Sequence, residues 1–147
     1  QEPLKIWGSI KDGVIVPVES PSITAQCLRV ACSDGHMAAV FVSFDKKPSI
    51  DEIKEKWASF AGEPQKLELP SAPAQFLHYC AEDNRPQTKL DRDYERGMGI
   101  CIGRLRDDPI FDYRFVCLSH NTLRGAAGGA VETAELLCAQ GWIPHKA

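Results

Sequence analysis

The chain has 147 residues, 44% of them hydrophobic and 25% charged, with a formal net charge of −3 and a sequence pI near 5.8. That length can bury the core of one domain, and the composition is that of a globular protein. The slight acidic balance offers no basic field for nucleic acid or an anionic membrane, and every apolar run falls far short of the roughly 20 residues that span a bilayer.

The chain begins at Gln1, without Met, and "QEPLKIWGS" has neither the basic n-region nor the apolar h-region of a signal peptide. It is expected to be a segment of something longer. Residues 14–18 ("VIVPV") read as a short strand, with Pro17 pointing to a sheet edge. Residues 22–32 are rich in apolar and β-branched side chains, "SDG" follows as a turn signal, and residues 36–44 ("HMAAVFVSF") are strongly apolar. An antiparallel hairpin of 22–32 with 36–44 is the economical pairing.

"PSIDEIKEKWASFAG" is the clearest helix. Ser49 and Glu52 form a capping-box pattern, Ile50, Ile53, Trp57 and Phe60 share one face, and Gly62 stops it. Prolines 64, 70 and 73 make residues 63–74 a loop, and "QFLHYC" is a short strand. Residues 81–96 are polar and aperiodic, and a loop that long is functional, contacting or mobile. Residues 98–106 and 113–119 are two strands joined by "DDPIFD".

A last helix is expected over 122–139, with Asn121 as its cap. Its start, "RGAAGGA", carries three glycines at a propensity cost of about 1 kcal/mol each. Something must approach the backbone there: a neighbouring strand or helix, or a cofactor. The elements sum to an α+β single domain over residues 1–147, largely antiparallel, with two main helices.

The six cysteines include no C-x-x-C pair and no zinc-ligand spacing with histidine, so no metal is expected. Most sit in apolar runs and read as buried, reduced thiols of a cytoplasmic protein. There is no G-x-G-x-x-G, P-loop or G-x-S-x-G. What remains is "QCLRVACSDGH". Arg29 offers a planar fork of donors for a carboxylate, and His36 can exchange protons near neutral pH. A surface Arg and His beside a turn is the plainer reading. His78 reads as a packing residue, His120 as a neighbour that caps the last helix, and His145 as part of a frayed tail.

The stretch resembles the "C-x-R-V-P-V-x-x-G-H" motif of the aspartate-semialdehyde dehydrogenases. "LPSAPAQ", "RPQTKLDRD" and "LSHNTLRGAAGGAV" resemble the fungal and archaeal branch of that family, in the same order and over nearly the whole chain. The resemblance implies an oxidoreductase of lysine, threonine, methionine and isoleucine biosynthesis that reduces β-aspartyl phosphate to aspartate semialdehyde and phosphate with NADPH. It implies a covalent thioester on a cysteine, His36 as the acid–base residue and Arg29 as the anchor of the substrate carboxylate. It further implies Asn121 and Gly125 at the nicotinamide end of the cofactor. It implies a mixed sheet like that of the C-terminal domain of glyceraldehyde-3-phosphate dehydrogenase, with one face carrying a homodimer contact.

Departures matter too. Leu28, Ala31 and Cys32 stand where the family pattern has Asn, Pro and an aliphatic residue. The nucleophile motif Asn-Cys-x-Thr and the dinucleotide-binding domain are absent from these residues, and Cys27 is the strand cysteine of C-x-R rather than the nucleophile. "EPLK" mimics the family's Glu-x-x-Lys, but "KIWG" fits a later "K-I-L-G" better. The chain is therefore expected to be the later part of a catalytic and dimerisation domain, inactive alone and without tight NADP binding. A non-catalytic interaction module is the alternative. If 22–32 and 36–44 pair, strict alternation puts Arg29 and His36 on opposite faces unless a bulge at Gly35 rotates the register.

Overall fold

A computed structural model describes residues 2–143, which leaves His145 outside the described residues. The chain divides into two compact units, Gln1–Ala31 and Cys32–Ala147. In the first, α1 (Glu2–Ile6) precedes a two-stranded hairpin of β1 (Ser9–Lys11) and β2 (Val14–Val16). Asp12 and Gly13, both at positive φ, make its turn. The strand expected at 14–18 is present but shorter, and its partner lies upstream in residues that carried no strand signal.

The second unit is built on a four-stranded sheet of order β3-β6-β5-β4: β3 (His36–Val42), β4 (Leu77–Cys80), β5 (Ile100–Asp107) and β6 (Tyr113–Ser119). β3–β6 and β6–β5 are antiparallel and β4–β5 parallel, so the sheet is mixed and largely antiparallel. With α2 (Ile50–Ala58) and the C-terminal α5 (Gly128–Ala139) as the main helices, the α+β expectation holds.

α2 starts where its sequence says it must. Ser49 Oγ accepts the Glu52 N–H at 3.2 Å, and Glu52 Oε2 accepts the Ser49 N–H at 2.6 Å. Its Trp57 lies across one face of the sheet, stacked on Tyr79 at 6.0 Å and edge-on to Phe115 at 5.2 Å. On the other face Cys80, Cys101 and Leu118 are buried together against Tyr94. The polar 81–96 stretch covers that face. It contains α4 (Thr88–Asp91) and a 3-10 turn (Tyr94–Gly97), so it is a contacting loop. Residues 63–74 also hold one helical turn, α3 (Glu63–Lys66).

Three expectations are corrected. Residues 22–32 form no strand, and β3 pairs with β6 over seven residues, from His36↔Ser119 to Val42↔Tyr113. Both segments have strand composition, and composition names no partner; a register shared with β6 decided it. The alternation argument about Arg29 and His36 therefore has no strand to rest on. Second, Cys27, Cys32 and Cys138 are exposed; only Cys80 and Cys101 are fully buried. Third, Asn121 does not cap the last helix. The chain first makes a π turn (Leu123–Ala127), with Gly125 N–H bonded to His120 O and Ala127 N–H to Thr122 O, before α5 begins.

Candidate functional site

His36 is the first residue of β3 and is exposed, and Arg29 is exposed in the first unit outside any regular element. The turn that delivers His36 is held from several directions. Gly35 N–H donates to Asn121 Oδ1 at 2.8 Å, Thr122 Oγ1 to Asp34 Oδ1 at 3.2 Å, and Arg92 Nη1 to Ser33 Oγ at 2.5 Å. Gly35 has φ +107, and a Cβ there would meet Leu118 Cδ1 at 3.1 Å and Thr88 Cγ2 at 3.2 Å, so only glycine fits. The antiparallel pair His36↔Ser119 sets this geometry, because Asn121 lies two residues beyond the end of β6.

The structure thus brings Asn121 to the N–H of Gly35, the residue before His36. The accepted N–H fixes which way the Asn121 amide points: its oxygen is taken, and its NH2 donates to no protein group among the described residues. Gly125 sits in the π turn with only His120 O, at 3.8 Å, near the position of an added Cβ. Gly128 differs: a Cβ there would lie 2.5 Å from Met98 Sδ. The small residues at the start of the last helix therefore divide into one that packs against a neighbouring segment and one that leaves open space.

His120 is buried, and its Nδ1 accepts the backbone N–H of Thr122 and of Leu123, each at 3.2 Å. It is the capping neighbour the sequence suggested. Its Nε2 lies 3.8 Å from Asp93 Oδ1. His78 is a packing residue, stacked on Tyr94 with ring centroids 4.8 Å apart.

A second cluster escaped the sequence reading. Ligand atoms of Cys80, Asp91 and Cys101 lie within 4.8 Å of one another. Their chemistry is that of a staple rather than a metal centre. Arg85 binds both oxygens of the Asp91 carboxylate, which also accepts the Gln87 N–H at 2.6 Å. The guanidinium bond holds the carboxyl below its ordinary range against the opposing effect of burial. Burial pushes the Cys80 thiol up and the Cys101 thiol to about 12, so both stay protonated, and Cys101 Sγ faces Asp91 O at 3.5 Å. The only prior hint was the length of the 81–96 loop, which this cluster ties down.

Against known proteins, the family described as semialdehyde dehydrogenase, dimerisation domain, matches residues 1–124. The chain is 44% identical to the aspartate-semialdehyde dehydrogenase of Methanothermobacter thermautotrophicus, over 92% of this chain and 40% of that protein. It is 39% identical to the malonyl CoA reductase (NADP) of Metallosphaera sedula, over 99% of this chain and 42% of that protein. The crystal structure of aspartate semialdehyde dehydrogenase with NADP from Candida albicans is similar at a TM-score of 0.86 and 35% identity, over 97% of this chain and 41% of that one. The chain thus spans about two fifths of the length of these relatives.

Proposed function

The chain belongs to the semialdehyde dehydrogenase family, matching its dimerisation domain, and on that premise we propose that it is the later part of an NADP-dependent aspartate-semialdehyde dehydrogenase. The whole enzyme reduces β-aspartyl phosphate to aspartate semialdehyde with release of phosphate. Bound NADPH supplies the hydride; this chain supplies the groups around it. His36 is the acid–base residue and Arg29 the anchor of the substrate carboxylate. Asn121, whose amide oxygen is taken by Gly35, would offer its NH2 to the nicotinamide end of the cofactor, and Gly125, with little near it, would leave room for it. The observation that carries the reading is the Gly35–Asn121 hydrogen bond, which joins the proposed proton-transfer turn to the proposed cofactor seat.

The nucleophile motif Asn-Cys-x-Thr is not among the 147 residues, so these residues alone do not form the covalent intermediate. They also serve homo-oligomerisation, the role the family description states. That missing motif is also what favours a second reading, a dimerisation module with no catalytic role. The two separate in one assay. The full-length protein and the 147-residue chain are each given aspartate semialdehyde, phosphate and NADP, and formation of reduced nicotinamide is followed. Turnover by the full-length protein alone is the expected result. No turnover by the full-length protein favours the module, and turnover by the short chain overturns the assignment of an external nucleophile.

A further inference from the structure

Three consecutive residues after β6 do different work on one turn. Asn121 accepts from Gly35, Thr122 donates to Asp34, and the His120 ring accepts the backbone N–H of Thr122. The His120 ring is buried, its Nδ1 accepts the N–H of Thr122, which precedes the π turn, and of Leu123, its first residue, and its own carbonyl accepts the Gly125 N–H at 3.0 Å. One residue therefore closes the π turn at its ring and at its backbone. Among the described residues no other side chain caps that turn. Accepting two N–H groups requires a lone pair on Nδ1, which puts the ring proton on Nε2, the nitrogen that faces Asp93.

We propose that His120 is a positioning residue that sets His36 and the Asn121–Gly125 seat as a single unit, so that proton transfer and cofactor binding depend on the same buried ring. The coupling runs from the His120 ring to the Thr122 and Leu123 amides, through Asn121 and Thr122 to Asp34 and Gly35, and so to His36. The catalytic part of this inference rests on the dehydrogenase reading; the clamp itself does not.

The test uses the full-length protein, with rates normalised to titrated active sites. H120A is expected to raise KM for NADP about fivefold, the factor that corresponds to loss of a helix cap of ordinary strength, and to lower kcat as well. It is also expected to speed amide exchange in residues 33–37 together with 120–127. H120N, which restores a short side-chain acceptor, is expected to return both readouts most of the way. A merely structural role would lower stability and the number of active sites and leave the per-site constants unchanged; that result, or unchanged exchange in 33–37, overturns the proposal. T122V, at an exposed position, removes only the hydroxyl donor and carries the test should H120A not fold. Faster exchange at 33–37 and a lower per-site kcat are expected from it, and no change in either refutes the clamp. If the full-length protein shows no NADP-dependent turnover yet exchange in 33–37 responds to H120A, the enzymatic reading fails and the clamp stands.

Discussion

The two ends of the β3–β6 pair are held by different physics. At the end where His36 meets Ser119, the turn of Cys32–Gly35 is tied by directional hydrogen bonds, donated by Arg92 and Thr122 and accepted by Asn121. At the end where Val42 meets Tyr113, aromatic contacts are added to the bonds from Phe44 N–H to Asp112 Oδ2 at 2.7 Å and from Asp112 N–H to Val42 O at 3.0 Å. Phe41 faces Phe111 at 5.9 Å, Phe44 meets Tyr113 edge-on at 6.4 Å, and the buried Tyr113 donates its hydroxyl to Pro48 O at 2.6 Å. Packing contacts stabilise without aiming anything, whereas hydrogen bonds hold a donor or acceptor to within tenths of an ångström. The first end is therefore suited to chemistry and the second to stability.

The comparison breaks if mutations at the two ends have the same consequences. The largest effect expected is at His36: H36N in the full-length enzyme should lower kcat by about 10²–10⁴-fold, with the melting temperature unchanged, in a steady-state assay beside calorimetry. Y113A at the other end should do the reverse. It removes a buried ring and its hydroxyl bond at a cost of roughly 3–5 kcal/mol in urea unfolding, while kcat per active site stays near the wild-type value.

The loop beneath the polar end gives a third contrast. D91N leaves Arg85 without its charged partner and should cost about 2–3 kcal/mol. Because the folded carboxyl is held below its ordinary value, this stabilisation is present above the unfolded carboxylate pKa. It is lost as pH falls through the lowered folded value. Urea midpoints from neutral to acid pH should therefore fall less steeply in D91N than in the wild type; equal slopes would show that Asp91 contributes nothing to acid lability. The smallest effect is expected from S49A, which removes half of a local capping box and should cost about 1 kcal/mol with no kinetic change.

These regions also differ in how far they could be read in advance. The start of α2, with its Ser49–Glu52 box and the Trp57 face, was legible, because a cap and an amphipathic face are complete within a few residues; its end was not, since the helix stops at Ala58 with Ser59 as its C-cap, short of Phe60 and of the Gly62 expected to stop it, and Gly62 instead precedes α3. The β5–β6 hairpin was legible for the same reason, since only the five residues 108–112 join the strands. The pairing of β3 was misread, because two neighbouring segments had strand composition and the true partner, β6, lay far along the chain. Arg29, His36, Asn121 and Gly125 were named through family resemblance, and composition alone would have left Arg29 and His36 as surface residues beside a turn. The Cys80–Asp91–Cys101 staple left no mark beyond the length of the 81–96 stretch, since its members come from two strands and α4.

By itself the sequence determined what depends on neighbours in the chain: the helix with its own cap, the hairpin with its own turn, the α+β class and the ring of His120 beside the last helix. Only the tertiary structure decided the partner of β3, the π turn in place of a simple helix start, and the use of Asn121 as a tie to Gly35, 86 residues away, in place of a cap. The reason is physical. Local order arises from hydrogen bonds and periodicity within one or two turns, whereas a register between distant strands is settled by the whole sheet, and the functional turn inherits its geometry from that register.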